Sequence, residues 1–451
     1  MDIRTIFVLM MENRSFDHLL GYRSLEGHPV EGLRSDPAWR DAVANPFNGN
    51  TYRPFHLTDP YGTMEADPPH SRASTKIQLG TPAGGKFPMK GFVETYSKAK
   101  GAAPIGAGSK PAAMGYFTGV EAPITDFLAD QFAVCDHWHA ALPAGTQPNR
   151  LMAMSGFTNI DTNKVPLPNQ ELVYDWLQRN GIRWRVYRSG VPFFAMILDR
   201  LDDILAGGHF RPFEQLYDDV QNEPPDEFPQ VVFLEPVYAD APHIGKSDDD
   251  HAPGGIKGGQ EFLLAVYRSI TRVPDVWKGS VLIVTYDEHG GFFDHVSPPM
   301  IPTEPPPGAR WTERFESLGV RVPALVVSPF VKPGTVFSEV MDHTSILKFI
   351  GETFGPDRKY SPAVDSRPVK SVSAVLNNPV GGDRSPVVPT LIDYLAREPK
   401  PAGRLPGTKP DTDLQEGFQK ALDGIRKRPA KRRKAYDPLL ASFPPERGGK
   451  K

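Results

Sequence analysis

What most narrows the fold is a series of short apolar runs rich in β-branched residues, at positions 3–11, 184–187, 231–234, 281–286 and 322–327. Runs of this length that are apolar throughout, rather than alternating, read as strands buried on both faces. Amphipathic segments lie between them, such as residues 171–180, with Asn169 as the predicted N-cap and Gly181 as the stop. The alternation predicts an α/β domain. The opening run is too short to span a bilayer and lacks the basic start and cleavage site of a signal peptide. The chain as given therefore reads as cytoplasmic, or as secreted or periplasmic if a leader is trimmed or another export route is used.

Residues 46–115 break the rhythm, being rich in Gly, Pro, Thr and Ser, and read as a long insertion or lid within a domain spanning 1–395. Its aromatic residues Phe55, Tyr61, Phe87, Phe92 and Tyr96 could touch a membrane interface or pack the insertion onto the domain. Residues 396–451 turn Pro- and Lys-rich, with basic runs at 426–428 and 431–434, and read as a tail packed on the surface or partly disordered, its charge run solvated or meeting anionic lipid. A formal charge of −3 gives no global field that would draw in nucleic acid. Cys135 is the lone cysteine, so no internal disulfide forms.

Polar groups at strand exits carry the chemistry, because open α/β sheets bind ligands beyond the carboxyl ends of their strands. The first strand runs into Glu12-Asn13-Arg14-Ser15-Phe16-Asp17, and the run at 281–286 into Asp287-Glu288-His289-Gly290-Gly291. If both strands are central, Glu12, Asn13, Asp287 and Glu288 form an oxygen-rich cluster suited to a hard divalent cation, which would let three carboxylates stay ionised together. The alternative is that Asn13, Ser15 or Asp17 caps a helix and Asp287 makes a turn. A Gly- and Pro-framed loop holds Thr146, whose hydroxyl a metal could activate, and Asn149 and Arg150, which could donate to phosphoryl oxygens. His70, His251, His295 and His343 all lie close to an Asp, which could favour a protonated imidazole, although each could equally be structural.

These segments resemble the bacterial phospholipase C and acid phosphatase phosphoesterases, a group that includes the plant non-specific phospholipases C. The resemblance rests on ENRSFDHLLG at 12–21, TQPNR at 146–150, DEHGGFFDHV at 287–296 and GVRVPALVVSP at 319–329. Weaker echoes occur at His70-Ser71, at 135–138 and at Asp249-Asp250-His251, where Ala252-Pro253 replaces the usual Pro-Pro. It implies an alkaline-phosphatase-like fold with a central, mostly parallel sheet flanked by helices. It also implies a divalent metal, with Ca, Zn, Mn, Mg and Fe all open, held by Glu12, Asn13, Thr146, Asp287 and Glu288. Thr146 would be the nucleophile, forming a phosphothreonine, with His70, His251 and His289 around the phosphoryl group and Asn149 and Arg150 holding loop or substrate. The expected substrate is a phospholipid, cut to diacylglycerol and a phosphorylated head group with transient contact to a membrane surface, or a small phosphate ester. A broad-specificity phosphomonoesterase is the nearest alternative. A non-catalytic anionic-lipid-binding protein is the alternative of another class, and the modified-Cys motif of sulfatases is absent around Thr146.

Overall fold

The computed structural model describes residues 1–59, 64, 66–197, 200, 208–241, 247–379, 384–387, 389 and 412–427. Its centre is an eight-stranded sheet, formed by β1 (Thr5–Met11), β2 (Ala133–Cys135), β3 (Trp184–Arg188), β4 (Phe210–Pro212), β5 (Val231–Glu235), β6 (Ser280–Tyr286), β7 (Ala324–Val327) and β8 (Thr335–Phe337). The order across the sheet is β8-β2-β7-β6-β1-β5-β3-β4. Only β7 runs against the rest, pairing antiparallel with both β6 and β2. All five apolar runs lie on strands, and every residue of β1 and β6 is buried, as continuous apolar strands in a sheet covered on both faces must be.

Helices flank the sheet in two packed groups. In one, α6 (Lys257–Thr271) lies against α2 (Pro123–Gln131) and α5 (Gln215–Asn222); in the other, α7 (Thr344–Phe354) lies against α3 (Thr146–Ser155), which meets α4 (Val173–Arg179). Asn169 does not cap α4. The helix opens at Leu172, whose N–H donates to the Asp175 carboxylate at 2.8 Å, while Asn169 Oδ1 accepts from Arg200. Gly181, at φ 66°, ends it as expected.

The insertion has a core of its own, in which Tyr52, Leu79, Met89, Phe92, Val93 and Met114 pack with Phe293 of the sheet domain, and Phe55 and Phe87 pack partly buried against them. Tyr96 is buried beside Ala66 and Ala113. The packing reading of these aromatics holds; Tyr61 lies outside the described residues. Within the insertion, α1 (Arg72–Leu79) runs from Ser71, whose hydroxyl caps it by accepting from Ser74 N.

The expected tail is only partly a tail. Residues 412–427 include α8 (Asp413–Arg426), whose Leu414, Phe418, Ala421, Leu422 and Ile425 are buried, with the Phe418 ring 6.0 Å from Phe193 and 5.9 Å from Tyr238. Apolar residues at helical spacing make this face, although the segment's charge dominates its composition. The basic residues at 428 and 431–434 lie outside the described residues.

Beneath the strand exits sits a buried ionic cluster. Arg321 donates to Asp294 Oδ1 at 2.9 Å and Asp17 Oδ1 at 3.1 Å, as well as to the carbonyls of Glu31 and Asp136, both at 2.8 Å. His295 Nδ1 meets Asp17 Oδ2 at 2.7 Å. Removing one partner from such a cluster strands the others. Arg321→Leu is therefore expected to lower unfolding free energy by about 3–5 kcal/mol in urea titration. Burial works to raise the Asp17 pKa, but His295 and Arg321 outweigh it and hold it below the usual range. Its contribution is thus present above the unfolded aspartate value of about 4 and is lost as pH falls through the lower folded value. An Asp17→Asn variant should be less stable than wild type near neutrality and show a shallower acid-side loss; an unchanged acid slope would contradict the assignment.

Candidate active site

β1 and β6 are parallel neighbours in a register that pairs Met11 with Tyr286, so Glu12 and Asp287 leave the sheet side by side. Asn13 turns the first exit in a left-handed conformation, φ 60°, which Asn tolerates better than most residues. Its backbone N–H donates to Asp287 Oδ1 at 3.1 Å. Opposite it, a Cβ on Gly290 would lie 2.1 Å from the Asn13 carbonyl oxygen, so only glycine lets the two exits approach this closely. The capping duty falls to Ser15, which accepts from His18 N at 3.3 Å.

Glu12, Asp287 and Glu288 are all fully buried, and the guanidinium of Arg150 lies among them, 3.0 Å from Glu12 Oε1 and 3.5 Å from Asp287 Oδ2. Arg150 also sits over the rings of Phe193 and Tyr238, at 4.7 and 4.9 Å. Burial works to raise the Glu12 pKa, but Arg150 and His251 outweigh it and hold it below the usual carboxylate range. Asp287 goes the other way, pushed up to about 8 by burial and by Glu12, with Arg150 only partly offsetting them. One arginine does not balance three carboxylates.

His251 stands across from them, Nδ1 3.3 Å from Glu12 Oε2 and 3.6 Å from Asp240 Oδ2, Nε2 3.7 Å from Asp67 Oδ2. Burial would lower its pKa, yet Asp240, Asp67 and Glu12 raise it well above the ordinary imidazole range. His70 Nδ1 lies 2.9 Å from the Pro68 carbonyl, and its Nε2 is 4.0 Å from Glu288 Oε1. His289 is engaged at both nitrogens, with Glu288 Oε2 at 3.2 Å and Gln78 Oε1 at 2.7 Å, so it holds Glu288 and the insertion rather than facing a phosphoryl group. His343 stands at the N-cap of α7, but its side chain makes no cap bond: Trp138 donates to its Nδ1, and its Nε2 lies 2.6 Å from the Asp287 carbonyl. His295 belongs to the Arg321 cluster.

Thr146 opens α3 with its hydroxyl buried and without a hydrogen-bond partner. It precedes Arg150 by four residues, so the two share a helix face about 6 Å apart along the axis. Asn149 differs from the expectation of a phosphoryl donor. Its Oδ1 accepts from Leu142 N at 2.9 Å and its Nδ2 reaches the carbonyls of Leu142, Ala144 and Gly145 at 2.9–3.1 Å, so the amide is spent on bracing the loop before Thr146. Arg150 likewise serves buried carboxylates and β1 carbonyls rather than lining an open site.

The residues present fit a divalent cation. Glu12 Oε2 and Asp287 Oδ2 are buried with only the ion-pair contacts to His251 and Arg150, and Thr146 Oγ1 is buried without a hydrogen-bond partner. The Asn13 amide atom turned from His251 lies 2.8 Å from Glu288 Oε1 and 3.1 Å from Asp287 Oδ1. With nitrogen there it donates to Glu288; with oxygen there three oxygens face one another, an arrangement a cation stabilises. Two further groups share His251, namely Glu12 with Asp249 and Asp67 with His70, their potential ligand atoms within 4.8 Å of one another. Asp249 is already engaged, accepting from Ala239 N at 2.6 Å and His251 N at 3.1 Å. In the third group, Asp17, Asp294 and His295, Arg321 supplies the positive charge.

The Asp read beside His70 is Asp67, in Asp67-Pro68-Pro69-His70, whereas sequence reasoning missed Gln78 and Asp240, which have no local pattern to mark them. Thr412 and Gln415 of the C-terminal segment also reach Asp240 Oδ1, at 3.2 and 3.0 Å. Gly145, Asp67, His70, Asn163, Asp240 and Leu414 line one cavity of about 250 Å³ beside Thr146.

Parallel strands thus deliver acidic exits to one buried cluster, and the comparisons place the chain that carries it. The Phosphoesterase family model matches residues 3–356, and the chain belongs to that family. It is 30% identical over 362 residues to non-specific phospholipase C6 of Arabidopsis thaliana, covering 77% of this chain and 65% of that protein. For non-specific phospholipase C1 of the same plant the identity is 31% over 352 residues, 75% of this chain and 62% of that protein. Phospholipase C A of Mycobacterium tuberculosis is 30% identical over 410 residues, 78% of this chain and 73% of that protein. The chain thus spans somewhat less than two thirds of the length of these plant relatives. A solved phosphonate monoester hydrolase of Agrobacterium radiobacter is similar at 10% identity and a TM-score of 0.36, covering 83% of this chain and 77% of that one, a likeness too distant to bear on the site.

Because Arg150 is the only guanidinium contacting Glu12 and Asp287 among the described residues, its loss should strand them. Arg150→Met is expected to cost about 3–5 kcal/mol by urea unfolding, partly recovered by saturating divalent metal. A variant as stable as wild type without metal would show that the cluster does not depend on this charge.

Proposed function

We propose that this chain is a divalent-metal-dependent phosphoesterase of the phospholipase C type, cleaving a phospholipid to diacylglycerol and a phosphorylated head group through a phosphothreonine on Thr146. The observation that carries the reading is the buried, partnerless Thr146 hydroxyl on the same helix as Arg150, which in turn pairs with Glu12 and Asp287. Similarity to proteins named phospholipase C supports the substrate class.

A divalent cation, held by Glu12, Asn13, Asp287, Glu288 and Thr146, would supply Lewis-acid polarisation of the phosphoryl group and a lower pKa for the Thr146 hydroxyl. Thr146 Oγ1 forms the bond to phosphorus as the bond from phosphorus to the glycerol oxygen breaks, and the threonine proton passes to solvent. The start of α3 places partial positive charge beside the phosphoryl oxygens. His251, kept protonated by Asp240, Asp67 and Glu12, offsets their negative charge. His70 lines the cavity, and its pKa is raised by Glu288 and Asp67 despite burial, which suits it to protonate the departing glycerol alkoxide. In the second half, neutral His70 takes a proton from water as that water attacks phosphorus, and the threonine oxygen leaves, regaining a proton. Asn149 holds the loop throughout.

The test is turnover of phosphatidylcholine and p-nitrophenyl phosphate by chelated protein, before and after single divalent metals are restored. Metal-restored release of diacylglycerol is expected, and restored cleavage of the aryl ester alone would make the protein a phosphomonoesterase instead. Thr146→Ala should retain the wild-type circular dichroism spectrum and lose turnover to the background rate; near-normal turnover would remove Thr146 as nucleophile. A phosphate ester trapped on Thr146 in acid-quenched protein, seen by mass spectrometry, is the direct signature.

A further inference from the structure

The largest apolar depression among the cavities described lies beside the catalytic cavity. It has a volume of about 630 Å³, and Ile77, Leu79, Phe87, Pro143, Met300 and Phe315 line it together with Arg72 and four further charged residues. Ile77 and Met300, 39% and 42% exposed, leave apolar surface open to an occupant within this depression. Helix α1 joins the two spaces: Ser71 and Ser74 face the catalytic cavity, Lys76, Ile77 and Leu79 the groove, and Arg72 lines both. Pro143, three residues before Thr146, lies on the groove side of the same loop.

Arg72 is fixed at this junction. Its guanidinium donates to Asp161 Oδ2 at 2.8 Å and to the Glu313 carbonyl at 2.6 Å, and stacks 4.0 Å above the Phe315 ring. A phosphate held in the cavity next to Thr146 thus has an apolar groove on the far side of the Arg72 wall, the order of chemistry along a phospholipid from phosphate to acyl chain. A small phosphate monoester would leave the groove unused.

We propose that this groove is an acyl-chain subsite, holding the hydrocarbon of the glycerolipid whose phosphate occupies the cavity beside Thr146. The occupant follows from the wall the two spaces share, where Arg72 lines both and Pro143 and Gly145 of one loop line one each, and the proposal rests on the phospholipase reading above. Binding of hydrocarbon there makes affinity depend on chain length, by roughly threefold to fourfold for each methylene that leaves water.

The full-length protein is titrated calorimetrically with hexanoyl-, octanoyl- and decanoylglycerol, product-like lipids without phosphate that report the groove independently of catalysis. Affinity should rise with chain length, and Ile77→Glu and Met300→Glu should each weaken decanoylglycerol by roughly tenfold or more. In parallel, kcat/KM is measured for monomeric dibutyroyl- to diheptanoyl-phosphatidylcholine and for p-nitrophenyl phosphate. Both variants should flatten the chain-length preference and leave the aryl ester unchanged. Affinity independent of chain length, or variants that bind like wild type, overturns the subsite even if phosphatidylcholine is cleaved. Chain-length-dependent binding lost in the variants, with only the aryl ester cleaved, supports the subsite and overturns the phospholipase reading.

Discussion

The two strand exits can share one buried site only because a guanidinium lies between them. Adjacent parallel strands in register bring Glu12 and Asp287 to the same level whether or not their charges are compatible, and burial magnifies the repulsion. Arg150 meets both carboxylates and is itself accommodated by β1 carbonyls and the faces of Phe193 and Tyr238. Since it sits one turn into α3, the ion pair that neutralises the carboxylates also fixes where that helix begins, and Thr146 is its first residue. Charge balance and placement of Thr146 are thus one requirement. The surplus of negative charge that a single arginine leaves is what makes a cation a fitting component of this cluster.

Two other arginines do comparable work at the margins. Arg321 joins Asp17 of the first exit to Asp294 of the second, and Arg14 donates to the carbonyls of Asp250 and Gly254 at 2.7 and 2.8 Å, fixing the loop that carries His251. The length of the sequence motifs follows from this. ENRSFD extends past Glu12 and Asn13 to reach Arg321, DEHGGFFDH does the same through Asp294 and His295, and GVRVP supplies the arginine.

The sequence was most legible where function and fold use the same local pattern. Long apolar strands announce themselves, and polar residues at their ends inherit a position from them, so Glu12, Asn13, Asp287 and Glu288 could be grouped before any contact was known. Strands β2, β4 and β8, three residues each, are too short to carry a period. Helix α8 was hidden by the charge and proline around it, although Leu414, Phe418, Leu422 and Ile425 keep helical spacing. In sequence Asn149 reads as holding either loop or substrate, and only its tertiary contacts show that its amide closes the loop. Asp240 depends wholly on tertiary structure: no local spacing relates it to His251, eleven positions on.

Control of access follows from where these late additions sit. The sheet supplies the groups at the centre, but the walls come from elements outside it: the insertion brings Asp67, His70 and α1, and the C-terminal segment brings Thr412, Gln415 and Leu414 to the same cavity. Asp240 connects the two sides, accepting from Thr412 and Gln415 while facing His251, whose other ring nitrogen looks toward Asp67 of the insertion. Anchoring α8 through fully buried Phe418 therefore acts on the charge of the site as well as on its shape. Sheet residues are constrained by strand register and by buried arginines, so variation among relatives in which ester is accepted is physically easiest in these walls, where substitutions need satisfy neither.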